Sequence, residues 1–353
     1  MAILSRFQNR ALGWWYNIPL PTGETDATPI PQCWHGFDQA SDKWIPLNST
    51  ASPTTDRNPR DYSNLAGGSE FGLITWNIDA GSPAPETRIS ALLSYLQNLT
   101  TPPDIIFLQE VSRPALRTIL DTPWIRKQWY SNEADDTNWD KQAFVSMTLV
   151  SRARFCNPSS AAKHMATIGP IWRVKYPSCF GRDALCCDIL LPSLDMTQDV
   201  SRIRLINVHL DSLPVFPSLR PRQHSIIASY LRAAGHGLVA GDFNPVLPED
   251  QTLVSANSLI DAWIELCPNE DGITWGLDSD TPFPPERMDK VALVGLKPFH
   301  IQVIRPGTCA TGALSGVDDE QAGVGKEGGR EKHEGGLQIP WSDHSGLVCG
   351  FRL

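Results

Sequence analysis

Several short apolar runs in this chain end in polar side chains of the types that bind a metal ion or share a proton. The run from Leu238 to Ala240 precedes Gly241, Asp242 and Asn244, and a carboxylate and an amide two residues apart can face one small polar ligand. An ordinary Asp/Asn turn would explain this stretch if it stood alone. Other apolar runs end at Asn77 and Asp79, at Glu110, and at His209, Asp211 and Ser212, and the last one follows Asp343 and His344.

These polar ends gain meaning if the apolar runs are neighbouring strands. Their ends would then meet at one rim, which would hold several carboxylates, two amides and two imidazoles. So many acidic groups are tolerable together only around a metal ion or a shared proton. The pattern therefore predicts a metal site or an acid–base site at that rim.

Four motifs, in this order, resemble the endonuclease/exonuclease/phosphatase superfamily. They are Thr-Trp-Asn-Ile-Asp at 75–79, Leu-Gln-Glu-Val at 108–111, Gly-Asp-Phe-Asn at 241–244 and Ser-Asp-His at 342–344. The resemblance runs from about residue 70 to the C-terminus. Within the superfamily the chain resembles the 5′-tyrosyl-DNA phosphodiesterase branch, which removes tyrosine from 5′ DNA ends. The details that resemble this branch are Arg182 with Leu185-Cys186, His209-Leu-Asp-Ser, Ile273-Thr-Trp275 and Arg287-Met288-Asp289.

The resemblance implies hydrolysis of a phosphodiester with Mg²⁺, for which Mn²⁺ can substitute. Glu110 is a hard oxygen ligand of the kind that Mg²⁺ takes in small number while it keeps several waters. Asp79 would complete the metal site directly or through water, and Asp343 would assist the metal through water.

The remaining strand-end residues supply the proposed acid–base groups. Asp242 resembles the family's base, which activates or orients the attacking water. Asn77 and Asn244 would hold that water or a phosphate oxygen. His344 and His209 are the candidate phosphate donors. Asp289 would orient His344, as the acid of a His–Asp pair does.

Six further residues are candidates for binding the substrate, which the resemblance implies is a DNA 5′ end that carries tyrosine or a peptide. Trp275 is a candidate aromatic wall beside the 5′ end, and a core position on a strand explains it equally well. The chain departs from animal members of the branch at Pro245-Val246, where they carry a basic residue, and at Met288, where they carry an aromatic one. The full candidate set is Arg182, Asp211, Ser212, Trp275, Arg287 and Met288.

The overall charge argues against a protein that holds long duplexes by bulk electrostatics. The 353 residues carry a net charge of −9 and give a pI of about 5.4. The eight cysteines include no Cys-x-x-Cys pair, which favours reduced thiols in an intracellular protein. We expect a monomer in the nucleus or cytoplasm with no membrane span. Arg6 and Arg10, without an acid in the first 23 residues, also resemble a mitochondrial presequence.

The elements that would position these residues alternate irregularly along the chain. Helical spacing predicts helices over 89–99, after Ser112 and Pro114, over 220–234 and over 257–266. Strands are predicted at 144–150, 168–174, 183–191 and 203–210, and several lack a helical crossover between them. This pattern predicts an α/β domain of the α+β type with much antiparallel pairing. The resemblance implies a four-layer α/β/β/α sandwich with two mixed, largely antiparallel sheets.

Two regions differ from the rest in composition. Residues 1–67 are rich in Trp and Pro and show no lasting period, so we interpret them as an extended arm whose tryptophans dock on a catalytic domain at 68–353. Residues 307–336 are rich in Gly and charge, which indicates a disordered insertion; a lid over the substrate is the alternative.

Other functions remain compatible with the same motifs. An apurinic endonuclease, an RNA deadenylase, or an inositol or lipid phosphatase of the superfamily would use similar residues. A catalytically inert binding module is the other class, and the complete set of acids, amides and histidines argues against it.

Overall fold

The computed structural model describes Gly13 and residues 18–47, 70–157, 165–192, 201–277, 283–310 and 338–353. The strands are β1 (Thr28–Gln32), β2 (His35–Asp38), β3 (Lys43–Pro46), β4 (Glu70–Asn77), β5 (Ile105–Ser112), β6 (Trp129–Ser131), β7 (Phe144–Ser151), β8 (Phe155–Cys156), β9 (Ala166–Lys175), β10 (Asp183–Leu191), β11 (Ser201–His209), β12 (Gly237–Asp242), β13 (Ile260–Asp261), β14 (Asp289–Val294), β15 (Lys297–Ile304), β16 (Thr308–Ala310), β17 (Gln338–Pro340) and β18 (Gly346–Arg352). The helices are α1 (Pro85–Gln97), α2 (Arg113–Asp121), α3 (Pro123–Gln128), α4 (Arg220–Ala234), α5 (Leu253–Ala256) and α6 (Ala262–Leu266).

The strands form two large mixed sheets. Sheet A has the order β1-β9-β10-β11-β12-β14-β13, with β8 paired to β9. Sheet B has the order β15-β18-β4-β5-β7-β6-β2-β3. The pairs β4–β5, β11–β12 and β8–β9 are parallel, and the other pairs in both sheets are antiparallel. Helical crossovers, α1 and α4, join the two longer parallel pairs, as parallel neighbours require.

The alternation of side chains along each strand explains the layers. On β4, Phe71 and Leu73 enter the core between the two sheets, whereas Ile74 and Trp76 face the helices α1 and α2. On β11, Leu205 packs between the sheets and its neighbours pack under α4. Three hydrophobic cores therefore separate four layers, and the predicted α/β/β/α sandwich is confirmed.

Residues 18–47 belong to this sandwich. Strand β1 forms an edge of sheet A beside β9, and β2 and β3 form an edge of sheet B beside β6. Trp34 is buried and its indole N–H donates to the Gly169 carbonyl at 3.0 Å. Trp34 docks on the sandwich as the interpretation of an arm expects, and residues 18–47 add edge strands to both sheets. The remainder of the arm and the expected boundary lie outside the described residues.

The predicted helices at 89–99 and after Ser112, and the one at 220–234, correspond to α1, α2 and α4. The single helix expected at 257–266 was wrong. Strand β13 lies there between α5 and α6, because Asp261 ends an extended segment and its carboxylate accepts hydrogen bonds from the first backbone N–H groups of α6.

The ends of the Gly-rich insertion are brought together by the two-stranded sheet of β16 and β17. Residues 311–337, to which the expectation of disorder applies, lie outside the described residues. All eight cysteines are free thiols. The described part of the chain contains no helix with the length and apolarity needed to cross a membrane.

Candidate active site

The polar ends of the inner strand faces meet between the two sheets. In sheet A, His209 is in register with Asp242, and Asp242 is in register with Asp289. In sheet B, Asn77 is in register with Gln109. Each of these residues continues the inner face of its strand past the last apolar side chain. The site is therefore assembled by register, as the strand-end pattern predicted.

Two local backbone features complete this assembly. Gly241 has φ 140°, and a Cβ atom there would lie 2.0 Å from the Val208 carbonyl oxygen, so no other residue fits before Asp242. Strand β5 has a bulge between Leu108 and Val111, and Glu110 has φ 58°. The bulge turns the Glu110 side chain towards the site, although strict alternation would direct it to the helical layer.

Asp242 and Glu110 face each other across Asn77. Asn77 Nδ2 donates to Asp242 Oδ2 at 3.0 Å and lies 3.5 Å from Glu110 Oε1. His209 Nε2 lies 3.5 Å from Asp242 Oδ2 and 3.8 Å from Glu110 Oε1. Asn77, His209 and Asp242 are buried, whereas the Glu110 side chain is 20% exposed. The two carboxylates thus share polar neighbours, and Glu110 is the one open to solvent.

His344 approaches the same carboxylate from the other side. Its Nδ1 lies 2.8 Å from Asp289 Oδ2, and its Nε2 lies 3.9 Å from Asp242 Oδ2. Its backbone carbonyl accepts a hydrogen bond from the Trp76 indole at 2.9 Å, and its N–H donates to the Ser342 hydroxyl oxygen at 3.0 Å. The predicted His–Asp pair is therefore present, with the ring fixed at both its backbone and its Nδ1.

The environment raises the pKa of both Asp242 and His344, which favours the neutral form of the carboxyl group and the charged form of the imidazole. Burial raises the pKa of Asp242 to about 7, against the lowering influence of a charged His344. Burial by itself would lower the pKa of His344, but the Asp289, Asp242 and Asp343 carboxylates raise it to about 10. At neutral pH the site therefore holds a positive imidazolium next to a carboxylate that exchanges protons near that pH.

The pKa of His209 is shifted in the opposite direction to that of His344. Burial lowers its pKa well below the ordinary value, and the positive charges of Arg182 and His344 lower it further. Its ring stacks on Phe144 with a centroid distance of 6.0 Å. The Arg182 guanidinium in turn lies 4.9 Å from the centroid of the Phe144 ring. His209 is therefore a neutral ring beside the two carboxylates, and Nε2 can donate one hydrogen bond.

Aromatic residues stand at both ends of this cluster. The order of contacts is Arg182, Phe144, His209, Asp242, His344 and Trp275. The half-buried Trp275 lies 6.4 Å from the His344 ring, and its indole N–H donates to Asp343 Oδ2 at 3.0 Å. Trp275 is thus adjacent to the site and is not a core residue. Arg182 Nε is buried without a hydrogen-bond partner among the described residues.

Glu110 fits a hard divalent cation. Its Oε2 accepts one hydrogen bond, from the Ala80 N–H at 2.8 Å, and its Oε1 makes only the long contacts with Asn77 and His209. Free lone pairs on a partly exposed carboxylate suit Mg²⁺, which needs one or two such ligands and retains waters.

The other two predicted metal residues are placed differently. Asp79 Oδ1 accepts the Gly81 and Ser82 N–H groups, and Oδ2 accepts Arg88 Nη2 at 3.1 Å. These hydrogen bonds use most of the acceptor sites of the Asp79 carboxylate, and its expected role in the metal site, directly or through water, stays a prediction. Among the residues that the structure describes, no three Asp, Glu, His or Cys side chains form a metal-binding group. Asp343 Oδ2 accepts the hydrogen bond of the Trp275 indole N–H. Roles through water stay predictions.

Asp211 positions the loop that carries Arg182. Its carboxylate accepts hydrogen bonds from the Ser178 hydroxyl and, at 2.8 Å, from the Cys179 N–H. The Ser178 oxygen in turn accepts the Arg182 N–H at 2.8 Å. The expected contact of Asp211 with the substrate stays a prediction. Ser212 follows it, half-buried.

Two further candidates for substrate binding are used elsewhere. Arg287 makes a two-pronged ion pair with Asp261, at 2.9 and 2.8 Å, and both side chains are largely shielded from solvent. Met288 is buried, and its carbonyl accepts the Phe243 N–H. Both side chains have structural contacts, and their expected contacts with the substrate stay predictions. Asn244 keeps its place beside Asp242: its N–H donates to Asp242 Oδ1 at 2.9 Å, and its Nδ2 to the Leu210 carbonyl at 3.1 Å.

The sequence analysis missed a pair of amides beneath the site. Gln109 Nε2 donates to Asn207 Oδ1 at 2.8 Å and to Thr75 Oγ1 at 3.0 Å, and Asn207 Nδ2 donates to the Met147 carbonyl at 2.9 Å. These fully buried residues join sheet B to sheet A. Their signal was visible, because each is a polar residue that interrupts an apolar face near a strand end: Asn207 lies two positions before the end of β11, and Gln109 lies three positions before the end of β5.

The arrangement can hydrolyse a phosphodiester. It combines a carboxylate that can take a proton from water, an imidazolium that can neutralise a phosphoryl oxygen, amide donors and an exposed carboxylate for a cation. These groups converge on one small space between the sheets.

Comparison with known proteins agrees with this geometry. The profile of the Endonuclease/Exonuclease/phosphatase family matches residues 74–344. None of the curated proteins compared with the chain matches it in sequence.

Solved structures of TDP2, tyrosyl-DNA phosphodiesterase 2, share the fold. The D. rerio protein complexed with single-strand DNA product has a TM-score of 0.54 and 18% identity, over 81% of this chain and 100% of that chain. A humanized form of the D. rerio protein gives 0.55 and 18%, over 81% and 100%. A truncated C. elegans protein gives 0.51 and 18%, over 80% and 98%. Since the family profile spans most of the chain and the site has the matching residues, the chain belongs to the endonuclease/exonuclease/phosphatase family and is a metal-dependent phosphoesterase.

Proposed function

We propose that this protein hydrolyses the bond between tyrosine and a 5′ DNA phosphate and leaves a 5′-phosphate on the DNA. The observation that carries the proposal is the order of the site: a phosphate-hydrolysing centre lies between an Arg182–Phe144 end and a Trp275 end. A phosphodiester that joins a phenol to a nucleotide has an aromatic group on each side of the reacting phosphorus. The site offers an aromatic surface at each side of its catalytic groups.

Each catalytic group has a role that follows from its position. Asp242 accepts the proton of the attacking water, and Asn77 fixes that carboxylate through the bond to Oδ2. His344, held by Asp289, donates to a phosphoryl oxygen and balances the charge that develops there. His209 donates from Nε2 as a neutral ring. Glu110 would hold Mg²⁺, which supplies charge neutralisation at the phosphoryl and leaving oxygens.

The leaving group and the charge of the protein are consistent with this substrate. The phenol of tyrosine has a pKa of about 10, so a departing phenolate needs less stabilisation than an alkoxide. A net charge of −9 suits a protein that binds DNA ends, since few phosphates need to be neutralised. The D. rerio neighbour, which is complexed with single-strand DNA product, supports DNA as the substrate class. The role that we propose with this substrate is repair of protein–DNA adducts.

Metal dependence is tested directly. We expect Mg²⁺ or Mn²⁺ to support turnover and a chelator to abolish it. Glu110→Gln, which removes the charge and keeps the shape, should weaken Mg²⁺ binding measured by calorimetry. Full activity in the presence of chelator would exclude this mechanism.

The substrate is tested by comparing the wild type with Trp275→Ala. The KM of the variant for a tyrosyl oligonucleotide should rise by about tenfold or more, because base–aromatic stacking contributes about 1–3 kcal/mol. A nitrophenyl thymidine phosphate should be affected much less. Equal losses on both substrates would show that Trp275 only supports the fold of the site. No tyrosine release by the wild type would assign the protein to another activity of the family.

A further inference from the structure

Two neighbouring loops expose large apolar side chains beside the site. Phe216 is 90% exposed, Leu213 is 55%, Phe180 is 38% and Val215 is 36%. We call these four residues the apolar rim. Large apolar side chains seldom cluster on a protein surface unless the surface binds something.

The loops of the apolar rim are fixed at their bases. The Asp211 carboxylate ties the loop after β11 to Ser178 and Cys179, at the base of the loop that carries Phe180. Arg220 Nη1 donates to the carbonyls of Asp211 at 2.8 Å and Leu213 at 3.0 Å. These hydrogen bonds therefore fix the backbone at the base of both loops that carry the apolar rim.

A buried ion pair holds Arg220 in its turn. Its Nε lies 2.8 Å from Asp250 Oδ2, and both side chains are about 1% exposed. Breaking such a pair is costly, because the remaining charge would be buried alone. Phe216 is thus exposed at the tip of a loop that Arg220 anchors.

The position of the apolar rim relates it to one end of the site. The rim begins four residues after His209, at Leu213, and the Phe180 ring lies 5.9 Å from the Arg182 guanidinium. Trp275 stands at the opposite end, beyond His344. A substrate that crosses the catalytic groups from Trp275 would leave them towards the rim.

The chemistry of the two loops favours a polypeptide there over a DNA strand. Residues 176–182 and 213–219 contain no charged side chain except Arg182. A DNA strand would bring several phosphates to a surface with one cation, and binding would gain little from counterion release. An apolar peptide segment would bury the rim without that requirement.

We propose that the apolar rim binds the polypeptide that remains attached to the tyrosine, so that adducts with apolar residues beside the tyrosine are preferred substrates. This inference rests on the proposed function, since it assigns the DNA to the Trp275 end and the protein remnant to the rim. It makes the rim a specificity surface for the leaving part of the substrate.

The experiment compares three 5′ adducts of one oligonucleotide: a single tyrosine, a pentapeptide with Leu and Val beside the tyrosine, and a pentapeptide with Gly and Ser there. The variants are Phe216→Ser and, as a matched control, Ile264→Ser, which changes a 58% exposed side chain on α6. Both changes lie on the surface, and melting temperatures verify that folding is unchanged.

We expect the wild type to have about a tenfold higher kcat/KM for the apolar peptide adduct than for the other two, as burial of one aromatic side chain allows. Phe216→Ser should lose most of this preference and keep its activity on the single tyrosine, and Ile264→Ser should behave as the wild type.

Two results would overturn the inference alone: equal kcat/KM of the wild type on all three adducts, or a Phe216→Ser loss of the same size on all three. Failure to release tyrosine from any adduct would overturn the proposed function, and the inference with it.

Discussion

Asp242 shows how a single carboxylate is prepared by its neighbours. It is 1% exposed. Its Oδ2 accepts a hydrogen bond from Asn77 Nδ2, and its Oδ1 accepts one from the Asn244 N–H. The His209 and His344 imidazoles both approach Oδ2. Burial disfavours its charged form, and the neighbouring donors restore part of that loss. The balance leaves a base whose pKa is close to the pH at which it must work.

Asp242→Asn tests this role. The substitution keeps the shape and an acceptor for Asn77, but it cannot take a proton from water. Turnover should fall by about 10²–10⁴-fold while KM changes little. Steady-state kinetics on one substrate measure both constants. A rise in KM with unchanged kcat would instead make Asp242 a binding residue.

Asp289→Asn tests the charge on His344. The pKa of His344, at about 10, lies above the ordinary value of 6.5, so its contribution to stability is complete below pH 6.5 and is lost as pH rises towards 10. Removing the Asp289 charge should lower that pKa, move the alkaline loss of activity to lower pH and flatten stability over this window.

Proton NMR titration of the His344 ring in the wild type and in Asp289→Asn measures the shift. Asp343→Asn is the matched control, because that carboxylate lies 4.0 Å from Nε2 and is half exposed, so its effect should be smaller. An unchanged His344 titration in Asp289→Asn would contradict the assignment.

Residue types were predictable, but several partners were not. The strand-end pattern placed Asn77 and Asp242 on the inner faces of β4 and β12 because the alternation of side chains along a strand is local, whereas Glu110 reaches the site through a bulge that alternation does not predict. The roles of Asp211 and Arg287 depend on partners, Ser178 and Asp261, that are 33 and 26 positions away. A carboxylate that holds a loop has the same sequence signature as one that binds a substrate.

At the scale of elements, the two sheets must meet with the correct offset for the site to exist. Gln109 and Asn207 supply a direct hydrogen bond across the interface, directly below the catalytic groups. Glu110 follows the first of these in the chain, and His209 follows the second after one residue. An error in the sheet-to-sheet offset would therefore separate Glu110 from His209.

A double-mutant cycle with Gln109→Met and Asn207→Leu measures this link. Each single change should destabilise the protein by about 1–3 kcal/mol, because it leaves a buried polar partner unsatisfied. The double variant should lose less than the sum, and kcat should follow the same pattern. Chemical denaturation gives the free energies.

The control for this cycle pairs Gln109→Met with Gln223→Met. Gln223 is equally buried but lies on α4, where it donates to the Pro177 carbonyl. Effects of distant, independent sites should add. Additive effects for Gln109 and Asn207 as well would refute a specific link between the sheets.

The boundaries of helices and strands were predicted correctly where the periodicity was strong. The prediction was wrong where a single side chain determined the boundary. Helix α4 begins and ends where the pattern placed it. The stretch 257–266 has helical spacing, yet Asp261 begins a new helix and pairs with Arg287, so an edge strand interrupts it. The capping by Asp261 is local, but its ion pair with Arg287, 26 positions away, has no local signal.

At the scale of the whole molecule, the Gly-rich insertion leaves the sandwich through a paired base. Thr308 lies opposite Pro340 and Ala310 lies opposite Gln338. Excision of residues 312–334 would leave Thr311, Gly335, Gly336 and Leu337 between these strands, a length that suits a hairpin connection. The melting temperature and metal-dependent turnover should be nearly unchanged, as measured by calorimetry and hydrolysis assays. A large loss of turnover in a folded protein would support the lid.

The outer strands decide which stretch of chain can exist by itself. The family match, residues 74–344, omits β1, β2 and β3 and also β18, which lies between β15 and β4 inside sheet B. A fragment cut at those bounds would expose unpaired N–H and C=O groups on β9, β6, β4 and β15 at once. Exposed strand edges recruit one another between molecules. Such a fragment should accumulate as aggregate, so the smallest soluble unit of this protein is larger than the unit by which its family is recognised.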